Sequence, residues 1–164
     1  MDRVWWARPS AFPLALLVIS LLIIVVGGTI RINDAGESCP DWPQCFDTWT
    51  FDVSELEQQQ FWQDNPDHED SRGMDHRYTT FQIFTEWFHR LLVAVVAVPV
   101  LLNFLMANKL KEKYGDRTVK VSLLAGVLLI TQALVGAVTV VFDNVDWSVA
   151  LHLSLACIWA STLM

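Results

Sequence analysis

The chain has 164 residues, 53% of them hydrophobic, yet it carries a formal net charge of −7. A positive mean hydropathy and that much charge fit one short chain only if the charge is kept apart from the apolar segments. This excludes an ordinary soluble domain, and nucleic acid is not an expected partner of so acidic a chain.

Crossing the hydrocarbon of a bilayer takes about 20 mainly apolar residues, and four stretches approach that length. The sequence predicts an all-α integral membrane protein: a single domain over 1–164, with a bundle of helices at about 11–30, 82–107, 119–142 and 147–164. Arg3 and Arg8 precede the first helix, whose apolar run is longer than a signal-peptide core and lacks a cleavage site, so it is expected to be retained. The connection after the second helix holds Lys109, Lys111, Lys113, Arg117 and Lys120. Basic short loops stay cytoplasmic, which predicts both termini inside and the long loop outside.

That outer loop, about 31–80, contains twelve acidic residues against Arg31, Arg72 and Arg77. Its aromatics (Trp42, Trp49, Phe51, Phe61, Trp62) are too many for a disordered tail. Ser54 and Glu57 have the spacing of a helix-opening capping box, predicting a short helix through Trp62 that lies on the membrane with Phe61 and Trp62 turned down. Residues 64–75 read as a mobile linker. Cys39 and Cys45 lie on the oxidising side, so a disulfide is the first reading; zinc would need His68 and His76 as further ligands. Cys157, among apolar neighbours in the fourth helix, reads as a buried thiol.

The third helix carries Ala133 and Ala137 at a spacing that lets membrane helices approach closely. Trp147 reads as an interfacial anchor of the fourth helix. Helices one and three both end in Gly/Thr clusters, and helices two and four each bear a histidine in the outer third, a faint twofold repeat of a helical pair.

The chemistry is concentrated in Glu86, His89 and Arg90 at the mouth of the second helix and His152 in the fourth. Glu86 and His89 share a helix face, and ionisable groups at such positions usually mark a functional path. The plain alternative is an i,i+4 ion pair of Glu86 with Arg90 beside histidines that merely pack. Two histidines at matched depth, on helices expected to be neighbours, suit the axial positions of a haem iron. A di-iron site would need more helical carboxylates than Glu86 supplies.

Glu86-Trp87-Phe88-His89-Arg90 resembles the Glu-x-x-His-Arg motif of the haem A synthases, which serve terminal oxidase assembly. Gly27-Gly28-Thr29-Ile30-Arg31 and the run from Ala35 to Cys45 resemble that family's first outer loop, and His152 falls where the family places its second histidine. The resemblance implies oxidation of the methyl group of haem O to the formyl of haem A, in a prokaryotic plasma membrane or the mitochondrial inner membrane. It implies His89 and His152 as axial ligands, Arg90 beside the cofactor, Glu86 assisting catalysis, and Cys39 paired with Cys45. It further implies haem b as cofactor, haem O as substrate, a membrane electron donor, and haem O synthase as a partner.

The chain departs from the family in having one four-helix half, so a fragment, a homo-oligomer or pairing with a second half is expected. The acidic stretch after Cys45 is longer than in cysteine-bearing members, and Glu37 replaces an apolar residue. A di-histidine cytochrome passing electrons and a non-catalytic haem carrier are the competing functions. No Cys-x-x-Cys-His occurs for covalent haem attachment, and no nucleotide-binding glycine motif occurs.

Overall fold

The computed structural model describes residues 11–68 and 71–164. Arg3 and Arg8 of the expected inner terminus, and Glu69 and Asp70 of the acidic loop, lie outside the described residues. The helices are α1 (Ala11–Ile32), α2 (Glu55–Asp64), α3 (Thr80–Lys109), α4 (Lys111–Tyr114), α5 (Asp116–Val141) and α6 (Asp146–Ser161), with a 3-10 turn at Pro66–His68. Three of them, α1, α3 and α5, are long and apolar enough to cross a membrane. Helix α6, at 16 residues, rises about 24 Å against a hydrocarbon core of roughly 30 Å.

The bundle closes as a ring: α1 packs on α3, α3 on α5, α5 on α6, and α6 returns to α1. Helices α3 and α6 are therefore diagonal, and their Cα atoms stay more than 8 Å apart. The expectation that the two histidine helices are neighbours is corrected by this order. A short turn makes α5 and α6 adjacent, α1 and α3 pack side by side beneath the long loop that joins them, and the α3–α5 contact then sets α6 opposite α3. That turn is tight because Asp143 and Asn144 both take left-handed backbone angles, which these two residue types tolerate.

Among the described residues, two separate cores hold the chain. At the far end of the bundle, Leu16, Val96, Val100, Ala125, Leu129, Trp159 and Leu163 pack together, and the Trp159 indole donates to the Ala125 carbonyl at 2.8 Å. At the other end the outer loop folds into a cap with a core of its own: Cys39, Cys45, Phe46, Val53, Phe61, Trp62, Tyr78 and Ile83. Phe61 and Trp62 thus turn into protein rather than onto a membrane surface. They meet Phe46 edge-on at 5.3 and 5.7 Å between ring centres, since the loop supplies enough apolar partners to bury them itself.

Helix α2 opens as its sequence predicts, with Ser54 as N-cap and Glu57 completing the box. A second box, Thr79 with Gln82, starts α3 earlier than the apolar run suggests; its Thr-x-x-Gln spacing was readable in the sequence. Between the two helices, Gln58 is buried and exchanges hydrogen bonds with the backbone of Tyr78, donating at 3.1 Å and accepting at 2.9 Å. The expected linker is tied down as well. Ser71 donates to Glu37 at 2.9 Å, Arg72 donates to the Asp34 carbonyl at 2.8 Å, and His68 contacts the Pro40 carbonyl at 3.3 Å. Its polar residues find partners on the loop's first half, which composition alone does not reveal. Cys157 is exposed, contrary to the expected buried thiol, because it lies about 140° around α6 from His152.

Replacing Trp62 with alanine removes the largest fully buried side chain of the cap, where such truncations cost about 3–5 kcal/mol. We expect the loop of the Trp62→Ala protein to be cut by protease well before the wild-type loop, with the bundle intact. A pH effect follows from the capping box. The hydroxyl and backbone N–H of Ser54 both favour ionised Glu57 and hold its pKa below the ordinary carboxylate value. The stabilisation is complete above the unfolded pKa and is lost as pH falls through the lowered one. Acidification through that range should speed hydrogen exchange at the start of α2, and Glu57→Gln should flatten that dependence.

Candidate functional site

The site is built on the outer turns of α3. Glu86 is 4% exposed, and a carboxylate so buried is costly unless every oxygen is satisfied. Its Oε2 accepts from the Ser38 hydroxyl at 3.1 Å and from the Cys39 backbone N–H at 3.0 Å; its Oε1 accepts from Arg90 at 2.5 Å. Arg90, one turn on, fans its guanidinium over the loop. Nη1 donates to the carbonyls of Asp41 and Gln44, and Nη2 to that of Cys39 at 2.7 Å. The resemblance implies Glu86 in catalysis and Arg90 beside the cofactor, with an i,i+4 ion pair as the plain alternative; the structure forms that ion pair and turns both side chains onto the Cys39–Cys45 loop.

That loop is closed by a disulfide between Cys39 and Cys45, so the thiols are not offered to zinc. Its far edge is held by Asp41, whose carboxylate accepts from the N–H groups of Phe46 and Asp47, both in left-handed conformation. Trp87 donates its indole N–H to the Trp49 carbonyl at 2.9 Å, and Phe51 packs on Phe84 and Trp87. The mouth of α3 is thus the platform on which the cap is seated.

His89 and His152 lie between the two cores, on the diagonal helices. Each is seated on a glycine of the preceding long helix. A Cβ on Gly27 of α1 would lie 3.3 Å from His89 Cε1, and one on Gly136 of α5 would lie 2.8 Å from His152 Cε1. The repeat seen in the sequence is this Gly–His contact used twice. Sequence reasoning missed both glycines as site residues, although the Gly/Thr clusters were the available signal.

Gln132, one turn before Gly136, was also missed. Its Nε2 stands 3.2 Å from both ring nitrogens of His152 and donates to that residue's carbonyl at 2.9 Å. Buried side-chain atoms without a hydrogen-bond partner, among the described residues, are Trp62 Nε1, His89 Nδ1 and Gln132 Oε1. Two of these three stand at the histidine pair. Orphaned buried polar atoms are uncommon and call for an account; a metal-bound imidazole, with its ring partner, is one. The residues present therefore fit a bis-histidine haem. Among the described residues no group of three or more His, Cys, Asp or Glu comes together.

Removing one partner of a buried ion pair strands the other charge, typically at 3–5 kcal/mol. Arg90→Ala should therefore loosen the loop, and the Cys39–Cys45 bond should be reduced and alkylated at lower reductant concentration than in wild type. Equal reduction profiles would show that the disulfide loop keeps its place without the clamp.

Comparison with known proteins follows the same residues. Residues 11–164 match the profile of the cytochrome oxidase assembly protein family, COX15-CtaA. The chain is 28% identical over 137 residues to a haem A synthase of Shewanella oneidensis, covering 84% of this chain and 38% of the relative. It is 25% identical over 142 residues to that of Geobacillus thermodenitrificans (85% and 37%) and 28% identical over 155 residues to that of Flavobacterium johnsoniae (86% and 44%). The chain spans about two-fifths of the length of these relatives. No solved structure matches it. The motif at the mouth of α3, the disulfide loop seated on it and the match along the whole described bundle agree: this chain belongs to the cytochrome oxidase assembly family that contains the haem A synthases.

Proposed function

We propose that the chain holds haem between His89 and His152 and takes part in converting the haem O methyl to the formyl of haem A. The observation that carries this reading is the pair of histidines on the diagonal helices, each on a glycine seat, with orphaned polar atoms at His89 and at Gln132 beside His152. Bound haem, as haem O substrate or haem b cofactor, supplies the redox chemistry; the helices supply ligands, orientation and a dry site.

Within this reading the bundle spans the membrane four times with both termini inside, and the acidic cap faces outward over the site. The cap excludes water from the mouth of α3, because Arg90 and Glu86 hold the Cys39–Cys45 loop down on it. Glu86 is the carboxylate closest in sequence to His89 on their shared face, and its role is to hold or pass a proton at Oε1 or Oε2. Electrons move through a membrane donor, haem arrives from a haem O synthase, and a second four-helix half or a second copy completes the assembly.

The engagement of both Glu86 oxygens favours one other reading, a b-type cytochrome or haem carrier in which Glu86 only anchors the loop. Glu86→Gln separates the two when the reduction profile of the Cys39–Cys45 bond is measured beside it, since the change also leaves Arg90 without its carboxylate. Lost conversion with the loop still in place marks a proton role, and lost conversion with a loosened loop marks an anchor. General acid–base groups contribute about 10²–10⁴ in rate, so the Gln variant should bind haem normally and accumulate haem O or a partly oxidised product. Full haem A production by that variant would reduce Glu86 to an anchor. The ligand pair has its own test: His89→Ala and His152→Ala should each lower haem content or convert six-coordinate low-spin haem to another spin state. Unchanged spectra in both variants would overturn the assignment.

A further inference from the structure

We propose that Gln132 and Gly136 are positioning residues that fix the orientation of the His152 ring as a haem ligand. The inference rests on the ligand assignment above and adds to it a part of α5. The two residues are four apart, so they stand one turn above each other on one helix face. That face meets α6, and His152 sits against both.

Gly136 sets the distance. A Cβ there would come to 2.8 Å from His152 Cε1, closer than side chains pack, so any larger residue must turn the imidazole. The ring is the free end of its side chain, and turning it costs the fold little. What changes is the direction of the ring nitrogens, which is the property a metal ligand depends on. Gly27 imposes a milder version on His89, at 3.3 Å, while Gly28 and Gly126 face open space.

Gln132 sets the rotation. Its amide nitrogen lies within 3.2 Å of both ring nitrogens and binds the carbonyl of the same residue, so it holds the His152 side chain to its own backbone. The residue is 9% exposed, and its Oε1 has no partner. An imidazole bound to iron through one nitrogen keeps a proton on the other and needs an acceptor for it. Gln132 Oε1 is a buried acceptor beside this ring, and a half-turn of the amide exchanges its oxygen and nitrogen. The loose end in the hydrogen bonding and the tight spot in the packing thus point to the same ring.

The test compares Gly136→Ala, Gln132→Met, Gly126→Ala and His152→Ala in the chain purified with haem b. The readouts are haem content and the low-spin electron paramagnetic resonance signal, with the disulfide and detergent-soluble yield as measures of folding. Loss of an outer partner typically weakens metal binding about 10- to 100-fold, which is expected of Gln132→Met. Gly136→Ala should fold in normal yield but shift or split the low-spin signal, and Gly126→Ala, on the same helix in open space, should match wild type. The inference alone fails if His152→Ala alters the signal while Gly136→Ala and Gln132→Met leave it unchanged. It also fails if Gly126→Ala shifts the signal as much as Gly136→Ala. If His152→Ala is silent, the ligand assignment fails and the positioning role falls with it. Should Gly136→Ala not fold, Gln132→Met, an apolar side chain of similar length, decides the question.

Discussion

A buried carboxylate and a largely but not fully buried guanidinium one turn apart are stable only when their remaining hydrogen-bonding capacity is used. At the mouth of α3 that capacity is used by one short loop. Glu86 takes the Ser38 hydroxyl and the Cys39 N–H, while Arg90 takes the carbonyls of Cys39, Asp41 and Gln44. The loop cannot leave without stripping hydrogen bonds from both charges, and the charges cannot be removed singly without freeing the loop. The cap, its aromatic core and the covering of the site beneath all depend on this reciprocity.

The vertical order of the molecule follows from it. The cap has its own core and the far end of the bundle has another, so the layer between them is free of the requirement for dense apolar packing. The histidines, their glycines and Gln132 occupy that layer. Orphaned polar atoms can persist there because the packing on either side stabilises the chain without them. The ring order of the helices then sets His89 and His152 on opposite sides of one interior.

The two halves of the cap are tied to each other as well as to α3. Glu37 is buried at 7% exposure, and Ser71, from the second half of the loop, donates to it. Nearby, Arg31 reaches Asp146, and Asn144 donates to the Gly36 carbonyl, linking the cap to the α5–α6 turn. The exposed ion pair contributes little by itself, but the turn and the cap are held at one height.

Much was legible in the chain before any fold was known. The long apolar runs, the Ser54–Glu57 box, the i,i+4 relation of Glu86 to Arg90 and the repeated Gly/Thr–His pattern are local: each depends on residues within a turn or two, or on composition over one helix. The sequence by itself therefore determined that this is a helical membrane protein with a long acidic loop and a histidine-bearing bundle. What the loop aromatics pack against, which side of α6 carries Cys157, and that α3 and α6 are diagonal were not legible. These depend on which helix faces meet, and several pairings bury apolar surface equally well. Only the tertiary structure decided that Glu86 and Arg90 bind the loop and that Gln132 and Gly136 meet His152, because those partners meet when the loop folds back on α3 and α6 turns back along α5, and not by any spacing along the chain.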